Sequence, residues 1–245
     1  MNLQGQVALV TGSARRVGRA IAGALAAAGA DIVIHHHASP DAARSTAEEL
    51  SDLGVRTLVL QADLTDLSEI DRLFQSTERT FGRLDILVNS AAILQRRPAL
   101  EIDGPDWDAV MNLNLRAPFF CSRWAARLMG DVGGKIVNIA DVAAFQPWPA
   151  YAHHSISKAG LVMATRVLAR ALAPRIQVNA VAPGPVLPPE EFTDEERRRI
   201  AEGTVLKRLG APSDVADAVL FLIRSDYITG ETILVDGGKM LLSGG

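Results

Sequence analysis

Residues 151–158 read YAHHSISK, and two of them are spaced for proton chemistry. On a helix, His154 and Lys158 share one face because positions four apart are neighbours. An unperturbed imidazole titrates near pH 6.5, so its cation is a competent acid, while the neutral ring still donates one hydrogen bond. The Lys158 ammonium repels that proton, and a carboxylate brought close would hold it. Tyr151 offers a phenol three residues ahead of His154. It follows PWPA and falls before the first full turn, where its ring lines a pocket; a phenol is about 6 to 7 Å long, so a small backbone adjustment would bring its oxygen within reach. His153 is expected at the solvent or the pocket rim. Trp107 and Trp124 read as core or interface residues, and Trp148 as the one to touch substrate.

A second constellation lies near the start, in TGSARRVGRAIA, where Gly12 and Gly18 bracket a turn between a strand and a helix. Such a turn aims backbone N–H groups and the positive helix end at a pyrophosphate. A site of this kind that prefers NAD carries a carboxylate at the end of the second strand to accept from the ribose 2′-hydroxyl. Here that strand ends IHHHASP, and the facing turn carries Arg15 and Arg16. Two guanidiniums beside a 2′-phosphate argue for NADP(H), with His37 and Ser39 as further donors. The plainer reading of the histidines is a polar strand end. No metal site is expected, because consecutive strand residues point to opposite faces and three histidines cannot converge on one ion.

These residues need a scaffold, and the pattern supplies one. Apolar or β-branched runs occur at 7–11, 31–35, 56–61, 85–89, 135–140, 176–182 and 232–236, separated by segments such as VGRAIAGALAAAG whose apolar residues recur every three or four positions. Alternating strands and helices predict an α/β fold, a doubly wound parallel sheet of seven strands with helices on both faces. Nothing divides 1–245, so a single dinucleotide-binding domain is expected. The longest departure is 187–212, whose DEERRR run reads as a solvated helix face and whose whole reads as a lid beside the site. With 48% hydrophobic and 22% charged residues, the chain can bury a sizeable core. Its net charge of −3 argues against nucleic acid and for a small-molecule partner. Cys121 is the only cysteine, there is no signal-like start, and no long apolar window predicts membrane insertion. A cytoplasmic location is expected.

The ordered motifs resemble the short-chain dehydrogenase/reductase family along almost the whole chain, with likeness to its pteridine reductase-like and 3-oxoacyl-[acyl-carrier-protein] reductase-like members. Thr11, Gly12 and Gly18 match T-G-x-x-x-G-x-G, with Arg16 in place of the middle glycine. Asp63 in ADLTD, Asn89 in VNSAA, Asn114 in NLNL, Lys158, APG at 182–184 and ITGETILVDGG at 228–238 follow in order. The resemblance implies a Rossmann-type fold. It implies cofactor contacts from Gly12, Ser13, Arg15, Arg16, Val17 and Gly18, from His37 and Ser39, from Asp63 and Leu64 at the adenine, and from Asn89, Lys158, Pro183 and Gly184. It implies that Asn114 supports a proton-relay water and that Lys158 holds the nicotinamide ribose. The family's serine position holds Asp141, and its tyrosine position holds His154. Asp141, the basic pair in SARRVG, HHHAS and Gln146-Pro147 are similar to the pteridine reductase branch, which reduces the rings of biopterin and folate.

The resemblance thus predicts an NADPH-dependent oxidoreductase that reduces a carbonyl or C=N bond of a small, pterin-like substrate. Three readings of the acid stay open: His154, with Asp141 as its partner; Tyr151 or Asp141 as replacement; or an impaired NADP(H)-binding protein acting as sensor or oligomer subunit. The family also implies a homotetramer, built through the helices after the fourth and fifth strands and the apolar C-terminal run.

Overall fold

The seven strands form within one residue of their expected bounds. In the computed structural model, residues 1–188 and 192–242 are described. Residues 189–191 of the expected 187–212 lid and residues 243–245 of the C-terminal run lie outside the described residues. The chain runs β1 (Val7–Val10), α1 (Arg16–Ala27), β2 (Asp31–His36), α2 (Pro40–Ser51), β3 (Thr57–Gln61), α3 (Leu67–Phe81), β4 (Ile86–Asn89), α4 (Gly104–Met111), α5 (Ala117–Met129), β5 (Gly134–Ile139), α6 (Ala152–Leu172), β6 (Ile176–Pro183), α7 (Asp194–Glu202), α8 (Pro212–Arg224) and β7 (Thr232–Val235). The strands make one sheet in the order β3-β2-β1-β4-β5-β6-β7, parallel throughout.

Because the side chains of a strand alternate between faces, each strand feeds two cores. Ala8, Val10, Ile32, Ile34, Ile86 and Val88 pack under α1 (Ile21, Leu25) and α8 (Val219, Leu222). Val7, Leu9, Val33, Leu87 and Ile136 pack under α3 (Ile70, Phe74) and α5 (Ala125, Met129). Helices on both sides explain why the strands read as continuous apolar runs instead of alternating ones. Each fully buried Leu or Ile contributes about 1.5–3 kcal/mol relative to exposure, so the sheet centre is the rigid part of the molecule.

Two details position the site. The sheet order reverses between β1 and β4, and in such sheets the strand ends splay there to leave a crevice at their carboxyl side. Second, α4 does not pass into α5 by ordinary turns: Asn112–Arg116 forms a π turn, with the Ala117 N–H bonded to the Asn112 carbonyl. Nothing in the apolar periodicity signals it. Such wide turns occur often at functional sites, and this one carries Asn114.

The DEERRR run is the solvated face expected of it. It lies on α7, capped by Thr193 and Glu196 reciprocally, with Glu195 pairing Arg198 and Arg199 along the helix surface. Among the described residues no helix is long and apolar enough to cross a membrane.

Candidate active site

Beyond β1 the backbone of Gly12 turns with φ of +66°, and a Cβ there would lie 3.0 Å from the Ala91 Cα. A Cβ on Gly18 would lie 2.4 Å from the Gly12 carbonyl oxygen. Both positions therefore exclude a side chain, and the space they leave is the kind of cradle that a pyrophosphate needs. Thr11 locks the turn to β4, its Oγ1 accepting from the Ser90 and Ala91 N–H groups at 2.9 and 3.1 Å.

His35 is the residue that sequence reasoning missed. Its Nδ1 accepts from the Gly12 N–H at 3.0 Å, which leaves Nε2 as the protonated nitrogen, donating to the Ala62 carbonyl at 3.0 Å. One neutral ring thus ties the glycine turn to β2 and to the end of β3. Burial lowers its pKa to about 4, against the opposing pull of the Ala62 carbonyl. Strand alternation was the available signal: His35 and His37 line the crevice while His36 does not.

The crevice encloses about 730 Å³ and is lined by Gly12, Arg15, Arg16, Val17 and Gly18, by His35 and His37, by Asp63, Leu64 and Thr65, by Ser90–Ile93, and by Asn112 and Leu113. That volume is in the range of small-molecule sites. Asp63 accepts from the Thr65 N–H and hydroxyl at 2.9 and 2.8 Å. Those bonds, led by the backbone one, hold its carboxyl below the usual range. His37 faces Asp63 at 3.9 Å.

Other expected cofactor residues act at one remove. The Ser13 hydroxyl is buried and donates to the Val10 carbonyl at 2.7 Å. The Asn89 amide points into the protein, donating to Asn138 Oδ1 at 2.8 Å and Ser122 Oγ at 3.1 Å. These two fix strand ends and do not line the crevice, because their polar atoms are spent on the scaffold. Ser39 precedes α2 without a side-chain capping bond and is likewise not among the lining residues. Pro183 ends β6 opposite Val235, and a Cβ on Gly184 would meet Asp236 at 2.7 Å. Arg16 takes φ of +55°, the left-handed conformation that favours glycine. Its guanidinium does not join Arg15: Nη2 donates to the Leu187 carbonyl at 2.8 Å.

Ile93, on the crevice wall, is also where a second polar cluster begins. Asn114, on the π turn, grips the Ile93 backbone with both ends of its amide, Oδ1 accepting from N–H and Nδ2 donating to the carbonyl, each at 2.9 Å. The same Nδ2 lies 3.3 Å from His154 Nδ1, which is also 3.3 Å from the Ile93 carbonyl. The other side of the ring faces Asp141, with Nε2 3.7 Å from Oδ2. Asp141 caps the turn at Val142–Ala144 through Oδ1, which accepts from the Ala143 N–H at 2.8 Å. Its second oxygen is the one turned to His154. The His154 side chain is 4% exposed and that of Asp141 28%, so the carboxylate is the open edge of the pair. One turn along α6, the Lys158 Nζ donates to the Ile139 carbonyl at 2.8 Å. Burial lowers its pKa to about 8, with the Asp141 charge opposing.

Asn114, Asp141, His154 and Lys158 therefore converge. Tyr151 does not join them: it is the residue before α6, bridges to Arg97, and meets Trp148 edge-on at 6.1 Å between ring centroids. His153 corrects another expectation. It is not at a rim but fully buried, 0% exposed, and neither ring nitrogen has a hydrogen-bond partner among the described residues. It follows the first turn of α6 inward, where burial lowers its pKa and the Asp106 charge pulls the other way.

The dinucleotide crevice at the sheet reversal, followed along the chain by Asn114 and Lys158, defines an oxidoreductase of the nicotinamide-dependent kind, and comparison with known proteins places it. The profile described as Enoyl-(Acyl carrier protein) reductase matches residues 12–239; the chain belongs to the short-chain dehydrogenase/reductase family. It is 38% identical to a 3-oxoacyl-[acyl-carrier-protein] reductase of Synechocystis, covering 98% of each chain. It is 39% identical to the 2-dehydro-3-deoxy-D-gluconate 5-dehydrogenase of Escherichia coli, covering 97% of this chain and 96% of the other. A solved dehydrogenase/reductase from Sinorhizobium meliloti superposes with a TM-score of 0.91 at 36% identity, covering 97% and 96%. Members use nicotinamide cofactors, and the relatives differ widely in substrate.

Proposed function

We propose that this protein is an NADPH-dependent reductase of a carbonyl or C=N bond in a small substrate, a pterin-like ring among the candidates, with His154 as the proton donor and Asp141 as its partner. The observation that carries this is the approach of His154 Nε2 to Asp141 Oδ2 at 3.7 Å, at the end of β5 beside the crevice. When bound, the nicotinamide supplies the hydride. The protein supplies the proton. With Nδ1–H donating to the Ile93 carbonyl, which Asn114 holds in place, the His154 ring turns Nε2 toward the substrate heteroatom, beside the Asp141 carboxylate. Lys158 holds a cation behind this pair at neutral pH. NADPH over NADH is supported by the missing carboxylate at the tip of β2 and by Arg15 on the facing turn.

The test is NADPH oxidation over a panel of pterins, quinones and ketones. At least one should turn over, and His154→Ala should lower its rate by about 10²- to 10⁴-fold with cofactor affinity intact. Unchanged rates in that variant would remove His154 from the reaction. His154→Tyr then measures how far the natural site falls short of the family's phenol.

A second reading, a cofactor-binding sensor or oligomer subunit without turnover, is favoured by the near-complete burial of His154 and by the capping task that already occupies Asp141. Tight NADPH binding in calorimetry with no turnover on any substrate would select it. In either case we propose a cytoplasmic homotetramer. The exposed apolar stripe Ile156, Met163 and Val167 on α6, with Phe119 on α5, is suited to subunit contact, and sedimentation would measure the state.

A further inference from the structure

Arg15 and Arg16 are adjacent, both exposed and both at the crevice, yet their side chains are engaged differently. Arg15 has extended backbone, φ of −149°, and its side chain makes no hydrogen bond or ion pair with any described residue. It shares the crevice wall with His37 at the tip of β2. Arg16 is forced through the left-handed region, and its guanidinium spans to the Leu187 carbonyl, 171 residues away in sequence. Leu187 belongs to the segment that leaves β6, where Val186 folds back onto the Gly184 carbonyl at 2.8 Å and Gly210 bonds the Pro185 carbonyl at 3.1 Å. An arginine held in an uncommon backbone conformation and bonded to a carbonyl so distant in sequence is a mechanical link between the phosphate turn and the chain that leaves β6.

We propose that Arg16 is a strap: a positioning residue that ties the phosphate turn to the start of the segment after β6, at Leu187, while Arg15, with His37, reads the 2′-phosphate alone. The strap has no preference between the two nicotinamide dinucleotides, since the guanidinium is engaged on the Leu187 carbonyl. The assignment to Arg15 rests on the NADPH reading above; the strap does not, because the bond from Arg16 to the Leu187 carbonyl involves protein atoms alone.

The experiment uses the full chain and three variants, Arg16→Gly, Arg16→Lys and Arg15→Ala. Glycine at 16 accepts the positive φ at no cost, so folding is spared. In cofactor-free protein, Arg16→Gly should raise hydrogen exchange at the Val186 and Gly210 amides by about fivefold, the weight of one exposed charge-assisted bond, and leave the β6 amide of Ala180 unchanged. In fluorescence titrations it should weaken NADPH and NADH by the same factor, about fivefold. Arg16→Lys, which keeps a cation of similar reach, should recover part of both effects. Arg15→Ala should weaken NADPH by about tenfold or more, leave NADH nearly unchanged, and leave exchange at Val186 untouched. Unaltered exchange in Arg16→Gly would overturn the strap, whatever the cofactor results. A selective loss of NADPH in Arg16→Gly would overturn the division between the two arginines. If wild-type protein bound neither dinucleotide, the NADPH reading would fail while the exchange result still decided the strap.

Discussion

The two halves of the site are built from different materials. At the crevice the working groups are backbone: the turn between Gly12 and Gly18, the Ser90 and Ala91 N–H groups held by Thr11, and the neutral ring of His35 pinning them to the sheet. At the corner beside it the groups are side chains on three separate elements, the π turn, the end of β5 and α6, joined by contacts of 2.9 to 3.7 Å. A backbone site tolerates almost no change in the residues that shape it but is indifferent to most others. A side-chain site can exchange one acid for another while its frame stands. Gly12 and Gly18 belong to the first kind of site, Asp141 and His154 to the second.

The difference can be broken by experiment. The largest effect on folding is expected at Gly18→Ala, whose new Cβ would sit 2.4 Å from the Gly12 carbonyl oxygen. A loss of about 3 kcal/mol in chemical denaturation, with nucleotide binding abolished, is predicted. A merely weakened site would mean that the cradle is softer than its geometry. Next comes acid. His35 has a folded pKa of about 4 against 6.5 for an unperturbed ring, so between those values the unfolded chain takes up a proton that the folded one refuses. Its contribution is full above pH 6.5 and falls away as pH drops toward 4, by about 3 kcal/mol. The slope of stability against pH in that window should shrink in His35→Asn, leaving the weaker contributions of the same sign from His36 and His153.

In the corner, effects on chemistry should outrun effects on stability. Lys158, with a pKa of about 8, is a cation below that value and neutral above it. Cofactor affinity should therefore decline by about tenfold per pH unit above 8, and Asp141→Asn, by removing the charge that opposes deprotonation, should move this limb to lower pH. The smallest change in folding is expected from that same Asp141→Asn. The amide oxygen can still accept from the Ala143 N–H, so stability should shift by less than about 0.5 kcal/mol. Turnover should nonetheless drop by about tenfold or more. A stability loss that matched the rate loss would reduce Asp141 to a cap.

Much of this was legible in the sequence because the fold is written in periodicity. Buried parallel strands must be continuous apolar runs, and the glycines mark places where two backbones touch. Lys158 and His154 were readable because four residues along a helix is one turn. Other features were hidden because they depend on partners far away in the chain. His35 looked like one of three polar histidines until the alternation of β2 was set against Gly12 and Ala62. His153 looked peripheral because a neighbour's role says nothing about which way a helix turns. Arg15 and Arg16 looked like a pair, and only the Leu187 carbonyl separates them.

The π turn at Asn112–Arg116 also bears on how the gene can change. One residue more than an ordinary turn is stored there, so removing any one residue of the five would let α4 run smoothly into α5. The wide turn absorbs that residue's rotation of about 100°, so Cys121, Ala125 and Met129 would stay on the sheet and the loss would fall on the turn that presents Asn114 to Ile93. Substitutions along this stretch can be absorbed singly. Its length decides whether the turn exists at all, so a change of one residue here would remove the grip of Asn114 on Ile93 while leaving α5 in place.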